Sequence, residues 1–220
     1  MRVDLRLYAI LDPQRAGAFA LPELARRVVA GGATLLQLRD KLGATRSMIE
    51  EARAIQAAIA VTGVPLLIND RVDVALAADA AGVHVGQEDM AAEDARRLLG
   101  PEAIIGLSIK TPDEASAAPI EALDYVCIGG VFATTSKDNT KPPIGVEGLR
   151  SRADIFRRRA ADLPVGAIAG IDAGNAADVM TAGVDGIAVI SALSMAPDPA
   201  AAGRALRTIV DAGLAQRKNR

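Results

Sequence analysis

The chain has 220 residues, half of them hydrophobic, which is enough to bury one sizeable core. With 25 basic and 27 acidic residues and a net charge of -2, it has neither the basic face of a nucleic-acid binder nor an acidic tail, so small-molecule chemistry is favoured. Its single cysteine, Cys127, excludes an internal disulfide framework or a cysteine-rich zinc site and fits a reducing compartment.

In chain order, the N-terminal "MRVDLRLYAILDP" places Arg2, Asp4 and Arg6 where a signal peptide would be apolar, and no run of ~18 apolar residues follows anywhere. A cytoplasmic protein with no membrane partner is therefore expected. Strands are expected at 7–11, 34–38, 65–68, 82–85, 103–107, 124–129, 164–168 and 184–189. Three of the junctions, "VVAGGATLLQLRD" (28–40), "AADAAGVHVGQED" (77–89) and "VMTAGVDGIAVIS" (179–191), share one grammar. In each, a helix ends, a glycine turns the chain, and a short apolar strand runs into polar residues. The intervening segments have helical period; in "RSMIEEARAIQAAIAVTG" the apolar stripe is Ile49, Ala52, Ile55 and Ile59. "DPAAAGRALRTIVDAGLAQRK" supplies the last helix.

Eight nearly continuous apolar strands alternating with helices indicate a parallel sheet covered or closed by helices. The expected architecture is a single (β/α)8 barrel domain, a TIM barrel, over residues 1–220; a doubly wound open sheet is the competitor. Both bind ligands beyond the carboxyl ends of the strands. There the sequence puts Gln37, Arg39, Asp40 and Lys41, then Asn69 and Asp70, Gln87 and Asp89, and Ser108 and Lys110. The last three strands run into "GGVFATTSKDNTKPPIG", "AGIDAGN" and "ISAL".

In an extended chain Gln37, Arg39 and Lys41 point to one side, alternating with Leu38 and Asp40. Lys137 and Lys110 add positive charge, and Asp70 and Asp89 offer hard oxygen ligands for Mg2+. Cations, carboxylates and no histidine cluster suit a phosphorylated ligand held through a metal, a diphosphate above all. Gly170, with the amides of Ile190 and Ser191, forms a second candidate phosphate site, flanked by the hydroxyls of Thr134, Thr135 and Ser136. His84, the only histidine, is read as a barrel-interior residue and Cys127 as core.

"QLRDK" (37–41), "INDRVDVALAADAAGVHVGQED" (68–89), "GLS" (106–108), "GGVFATTSKDNTKPPIG" (129–145), "AGI" (169–171) and "VISAL" (189–193) resemble, in order and spacing, the motifs of the thiamine phosphate synthase family. The resemblance implies a (β/α)8 barrel that joins 4-amino-2-methyl-5-hydroxymethylpyrimidine diphosphate to 4-methyl-5-(2-phosphoethyl)thiazole, releasing diphosphate with Mg2+. It implies that Gln37, Arg39, Lys41, Asn69, Ser108 and Lys137 hold the pyrimidine diphosphate, within a segment that includes Leu38 and Asp40, and that Asp70 and Asp89 hold the metal. Thr134, Thr135, Ser136, Gly170, Ile190 and Ser191 would hold the thiazole phosphate, and Arg39, Lys41, Ser108 and Lys137 would be catalytic. The partners are small phosphorylated substrates, and a homo-oligomer is compatible with the sequence.

The chain departs from the family pattern at Ala169, where glycine is usual, at Ala133, where proline is common, and at Ser136, where threonine is common. "SIKT" also lacks the histidine often found two residues after the serine. Two alternatives belong to other functional classes. A thiazole tautomerase of the same fold would not need the grip of Arg39, Lys41, Asp70, Asp89 and Lys137, and a degenerate binding homologue would lack turnover.

Overall fold

The computed structural model describes residues 3–134 and 142–218. The strands form where the sequence is continuously apolar: β1 (Leu7–Leu11), β2 (Leu35–Leu38), β3 (Leu66–Asn69), β4 (Gly82–Val85), β5 (Ile104–Ile109), β6 (Tyr125–Ile128), β7 (Val165–Ile168) and β8 (Gly186–Val189). Nearly every position in them is buried, as expected of parallel strands covered on both faces. Each pairs with its sequence neighbour, and β8 pairs back onto β1 with Leu7 opposite Ile187, so the sheet is a closed barrel. The open-sheet alternative is excluded.

The period-2 alternation of each strand divides the core into two shells. Leu7, Ala9 and Leu11 join the outer shell, against the helices. Tyr8 and Ile10 point inward and meet Leu35, Leu67, Tyr125, Cys127 and Ala188 in the barrel interior. Around the barrel lie α1 (Leu21–Ala30), α2 (Thr45–Ile59), α3 (Val72–Ala78), α4 (Ala92–Leu99), α5 (Pro112–Ala117), α6 (Gly145–Arg159), α7 (Ala176–Met180), the short α8 (Ser191–Ser194) and α9 (Pro199–Lys218). The α2 stripe is Met48, Ala52, Ile55 and Ile59; Ile49, expected in it, is only half-buried because Met48 sits a full turn before Ala52. No described helix is long and apolar enough to cross a membrane.

At the amino-terminal face one device occurs twice. Arg96 of α4 donates to Asp124 at 2.5 Å, and Asp124 accepts the Ile105 amide at the start of β5. Arg157 of α6 donates to Asp185 at 2.7 Å, and Asp185 accepts the Val165 amide at the start of β7. Both arginines also donate to carbonyls of the turn after their own helix, including Ala103 and Leu163. Each clamp thus ties a helix end to two neighbouring strand starts. Asp185 adds a bond from Arg217 of α9 at 2.6 Å, linking the last helix to the closure. Its engagement there accompanies the start of β8 at Gly186, two residues after the expected 184.

Candidate functional site

Beyond the carboxyl ends of the strands lies a cavity of about 590 Å³. Gln37, Arg39, Asn69 and Ser108 line it from β2, β3 and β5, as do Thr134, Gly170, Ile190 and Ser191 from beyond β6, β7 and β8. In a closed eight-strand ring β2 and β3 stand opposite β6 and β7, so Gln37, Arg39 and Asn69 face Thr134 and Gly170 across one space, with Ser108 on β5 beside the β6 end. Lys110 also borders it.

Arg39 leaves the end of β2 and donates to Asp12 at 2.5 Å, a pair that is largely buried. Asp12 was not among the expected residues although it follows β1 directly, as Arg39 and Asp70 follow the next two strands. That position after a strand was the signal available. Asp12 is 3% exposed and also accepts the Gln14 amide at 2.9 Å, which fixes its carboxylate.

Extended alternation of Gln37, Arg39 and Lys41 holds for only the first two. The strand ends at Leu38, and Lys41 turns off the cavity wall to donate to Asp70. The Leu38 side chain is fully buried in the outer shell, and the Asp40 carboxylate accepts the Leu42 and Gly43 amides at 3.0 and 2.8 Å. Neither side chain lines the cavity. Leu38 and Asp40 instead shape the turn that aims Arg39 and Lys41.

Asp70 holds a left-handed backbone, φ 61°, which aspartate tolerates better than most residues. Its amide donates to the His84 carbonyl at 2.9 Å, and its carboxylate also accepts from Asn69 at 2.7 Å. Asp89 folds back to accept the Gly86 amide at 2.7 Å. Partial burial, and then the neighbouring Asp70 carboxyl to which it is hydrogen-bonded, push the Asp89 carboxyl above its usual range, against the opposing charge of Lys41. Two acids held together in this way suit a divalent cation. Among the described residues no cluster of three or more His, Cys, Asp or Glu side chains could hold a metal unaided. The remaining positions would fall to substrate oxygens and water, the pattern Mg2+ favours.

On the opposite wall, Ala169 has φ 94° and Gly170 has φ 65°. The Phe132 amide donates to the Ala169 carbonyl at 3.0 Å, and Asn175 donates to the Gly170 carbonyl at 2.8 Å, so the β6 and β7 loops are seated on each other. A Cβ at Gly170 would lie 2.8 Å from the Phe132 Cβ and closer still to the Ala133 carbonyl oxygen; only glycine fits. Ile190 caps α8, and Ser191 begins it. Thr135, Ser136 and Lys137 lie outside the described residues.

Beneath the cavity the barrel interior is polar at one level. Gln37 donates to the Tyr8 hydroxyl at 2.6 Å, and the Tyr8 and Tyr125 hydroxyls are hydrogen-bonded at 2.9 Å. The Tyr125 hydroxyl meets His84 Nδ1 at 2.9 Å, and His84 Nε2 meets Ser108 Oγ at 2.9 Å. His84 is 6% exposed, the interior residue expected, yet it touches an expected catalytic serine. Burial raises the Tyr8 and Tyr125 phenols well above their usual range and pushes the Cys127 thiol up to about 12, so all three stay protonated.

Residues 7–193 match the family described as "Thiamine monophosphate synthase". A thiamine-phosphate synthase of Agrobacterium fabrum is 52% identical over 99% of this chain and 99% of its own. One from Moorella thermoacetica is 46% identical over 93% and 95%. A solved structure, the thiamine phosphate pyrophosphorylase of Pyrococcus furiosus, superposes with a TM-score of 0.83 at 40% identity, covering 97% of this chain and 98% of that one.

Proposed function

The chain belongs to the thiamine monophosphate synthase family, and from that premise we propose how its rim divides the synthesis of thiamine phosphate among named residues. The enzyme is a transferase that joins a pyrimidine diphosphate to a thiazole phosphate. Gln37, Asn69 and Ser108 hold the pyrimidine diphosphate, with Arg39 braced by Asp12 and Lys137 contributing positive charge. Asp70 and Asp89 hold Mg2+, which neutralises charge on the departing diphosphate when bound. Lys41, paired to Asp70, sets that carboxylate and adds charge at the diphosphate edge. Thr134, Thr135, Ser136, Gly170, Ile190 and Ser191 receive the thiazole phosphate.

The work of these groups is placement and electrostatics rather than proton transfer. As diphosphate departs, the aminopyrimidine carries a methylene cation, and the thiazole nitrogen held across the cavity captures it. Arg39 and the Ser108 hydroxyl face the charge that develops on the leaving group. The whole chain acts as one barrel domain in the cytoplasm, on small phosphorylated substrates.

The observation that carries this reading is one cavity lined by four candidate diphosphate-site residues, Gln37, Arg39, Asn69 and Ser108, and by four candidate phosphate-site residues, Thr134, Gly170, Ile190 and Ser191. The test is to mix the purified protein with both substrates and Mg2+ and assay thiamine phosphate. Its formation, abolished by EDTA, is the expected result. No product with both substrates present would favour the binding-homologue alternative.

A further inference from the structure

The two anion-binding groups proposed above border each other twice around the ring, where β5 meets β6 and where β8 passes through β1 to β2. Among the described residues lining the cavity, the basic and acidic side chains other than His84 are Arg39, Lys110 and Asp172. Arg39 stands at the β1 and β2 border, and its charge is already matched by Asp12. Asp172 follows β7, where its Oδ1 accepts the Gly174 amide at 2.8 Å. Lys110 stands at the other border, and among the described residues its ammonium has no hydrogen-bond or ion-pair partner.

Ile109 is fully buried in the outer shell, so alternation along β5 puts Ser108 and Lys110 on the inner side, with the lysine nearer the mouth. Four elements fasten the main chain there. Gln87 beyond β4 donates to the Ser108 carbonyl at 2.8 Å, the Gly129 amide beyond β6 donates to the Ile109 carbonyl at 2.8 Å, and Arg152 of α6 donates to the Lys110 carbonyl at 2.9 Å. The Lys110 amide donates to Glu114 of α5 at 2.5 Å, and the same carboxylate accepts the Thr111 amide at 3.3 Å in the capping box of that helix. Glu114 is thus engaged by the backbone and leaves the ammonium unneutralised. A fixed main chain under an unpaired cation on a flexible stem suits a group whose partner arrives with the ligand.

Both proposed substrates bring phosphoryl charge into one cavity of about 590 Å³. Like charges held together there repel, and more strongly as water is displaced. Arg39 and Asp12 contribute a pair with no net charge. We propose that Lys110 is a further substrate-binding residue that stands between the diphosphate and the thiazole phosphate and offsets their mutual repulsion. The inference rests on the function proposed above and adds to it a residue that serves both anions and belongs to neither pocket alone. Loss of this cation should show less in the affinity for either anion by itself than in the coupling between the two.

Calorimetric titration of the purified protein with the thiazole phosphate, without and with saturating inorganic diphosphate and Mg2+, reads that coupling. In the wild type the dissociation constants under the two conditions should agree within about twofold. In Lys110→Gln, diphosphate should raise the Kd for the thiazole phosphate by about five- to tenfold, and the reverse titration should return the same factor. Added salt should shrink that penalty. Lys110→Arg, which keeps the charge, should restore the wild-type coupling. Lys110 is exposed, so neither substitution removes core packing. A Kd for either anion that rises equally with and without the other would assign Lys110 to one pocket, and a Lys110→Gln protein indistinguishable from wild type would assign it to none; both results overturn the proposal. A chain that makes thiamine phosphate without any coupling that depends on Lys110 keeps the functional reading and loses this inference. One that makes no product, yet binds both anions with coupling that depends on Lys110, does the reverse.

Discussion

Arg39 and Asp12 leave adjacent strands and meet at 2.5 Å, the arginine bordering the cavity while the aspartate stays 3% exposed beneath it. The pair fixes a long, rotamer-rich cation at one height on the rim. Asp12→Ala should therefore impair the diphosphate half of the reaction although Asp12 does not line the cavity. The expected loss in kcat/KM for the pyrimidine diphosphate is about ten- to a hundredfold. Adding Arg39→Ala should cost little more, and a fully additive double variant would separate Asp12 from Arg39.

Asp70 and Asp89 make opposite predictions for catalysis and for stability. Asp70→Asn and Asp89→Asn should each lose activity that excess Mg2+ restores only in part. Because the folded Asp89 carboxyl is raised above its ordinary value, the native state binds more protons than the unfolded one in the window between the two, and stability falls as pH rises through it. At neutral pH without metal, Asp89→Asn should therefore raise Tm. Mg2+ should raise the wild-type Tm and leave the Asp70→Asn, Asp89→Asn double variant unmoved. Calorimetry with and without EDTA checks both signs.

Gly170 tests the facing wall. Its absent Cβ is the space occupied by Phe132 and Ala133, so even Gly170→Ala should displace the β6 loop. The expected result is a raised KM for the thiazole phosphate together with a lower kcat, since the displaced loop leads into the segment carrying Lys137. A titration in which only pyrimidine diphosphate binding weakens would mean that the two pockets have been exchanged.

Ala169 sits at φ 94°, where a residue with a Cβ is strained. Ala169→Gly should raise stability by about 1 kcal/mol, the relief of that strain exceeding the entropy glycine adds to the unfolded chain. It should change kcat/KM for the thiazole by no more than about a hundredfold. An inert wild type switched on by Ala169→Gly would identify a diverged copy.

At the amino-terminal face, burial raises the Asp185 carboxyl, but its bonds from Arg157 and Arg217 outweigh that and leave it below the usual range. A lowered carboxylate stabilises the fold above its unfolded value of about 3.9, and that stability is lost as pH falls through the folded value. Asp185→Asn should cost about 2 kcal/mol at pH 7. Its Tm should also fall less than the wild type's between about pH 5 and pH 3.

The strands were legible because parallel strands buried on both faces read as apolar runs, and every expected strand lies within two residues of the observed one at each end. The rim was legible for the same reason: Arg39, Asn69 and Asp70 occur where those runs stop. What the sequence did not disclose is contact between strands. Ser108 against His84 and Arg39 against Asp12 depend on the stagger of adjacent strands, and Tyr125 against Tyr8 on closure of the ring, none of which a local pattern encodes. Lys41 was expected beside Arg39 by alternation, but alternation ends with the strand, and the turn built by Asp40 sends Lys41 to Asp70 instead.

The two arginine–aspartate clamps hold the barrel from the face opposite the cavity, and each lies 28 residues apart in the chain. Substitutions among the rim residues leave both untouched. A lineage carrying this scaffold can exchange side chains around Ala169, Ser191 or Thr134 and sample altered substrate preference while the barrel stays closed, so that selection for a new ligand and selection for a folded chain act on separate sets of positions.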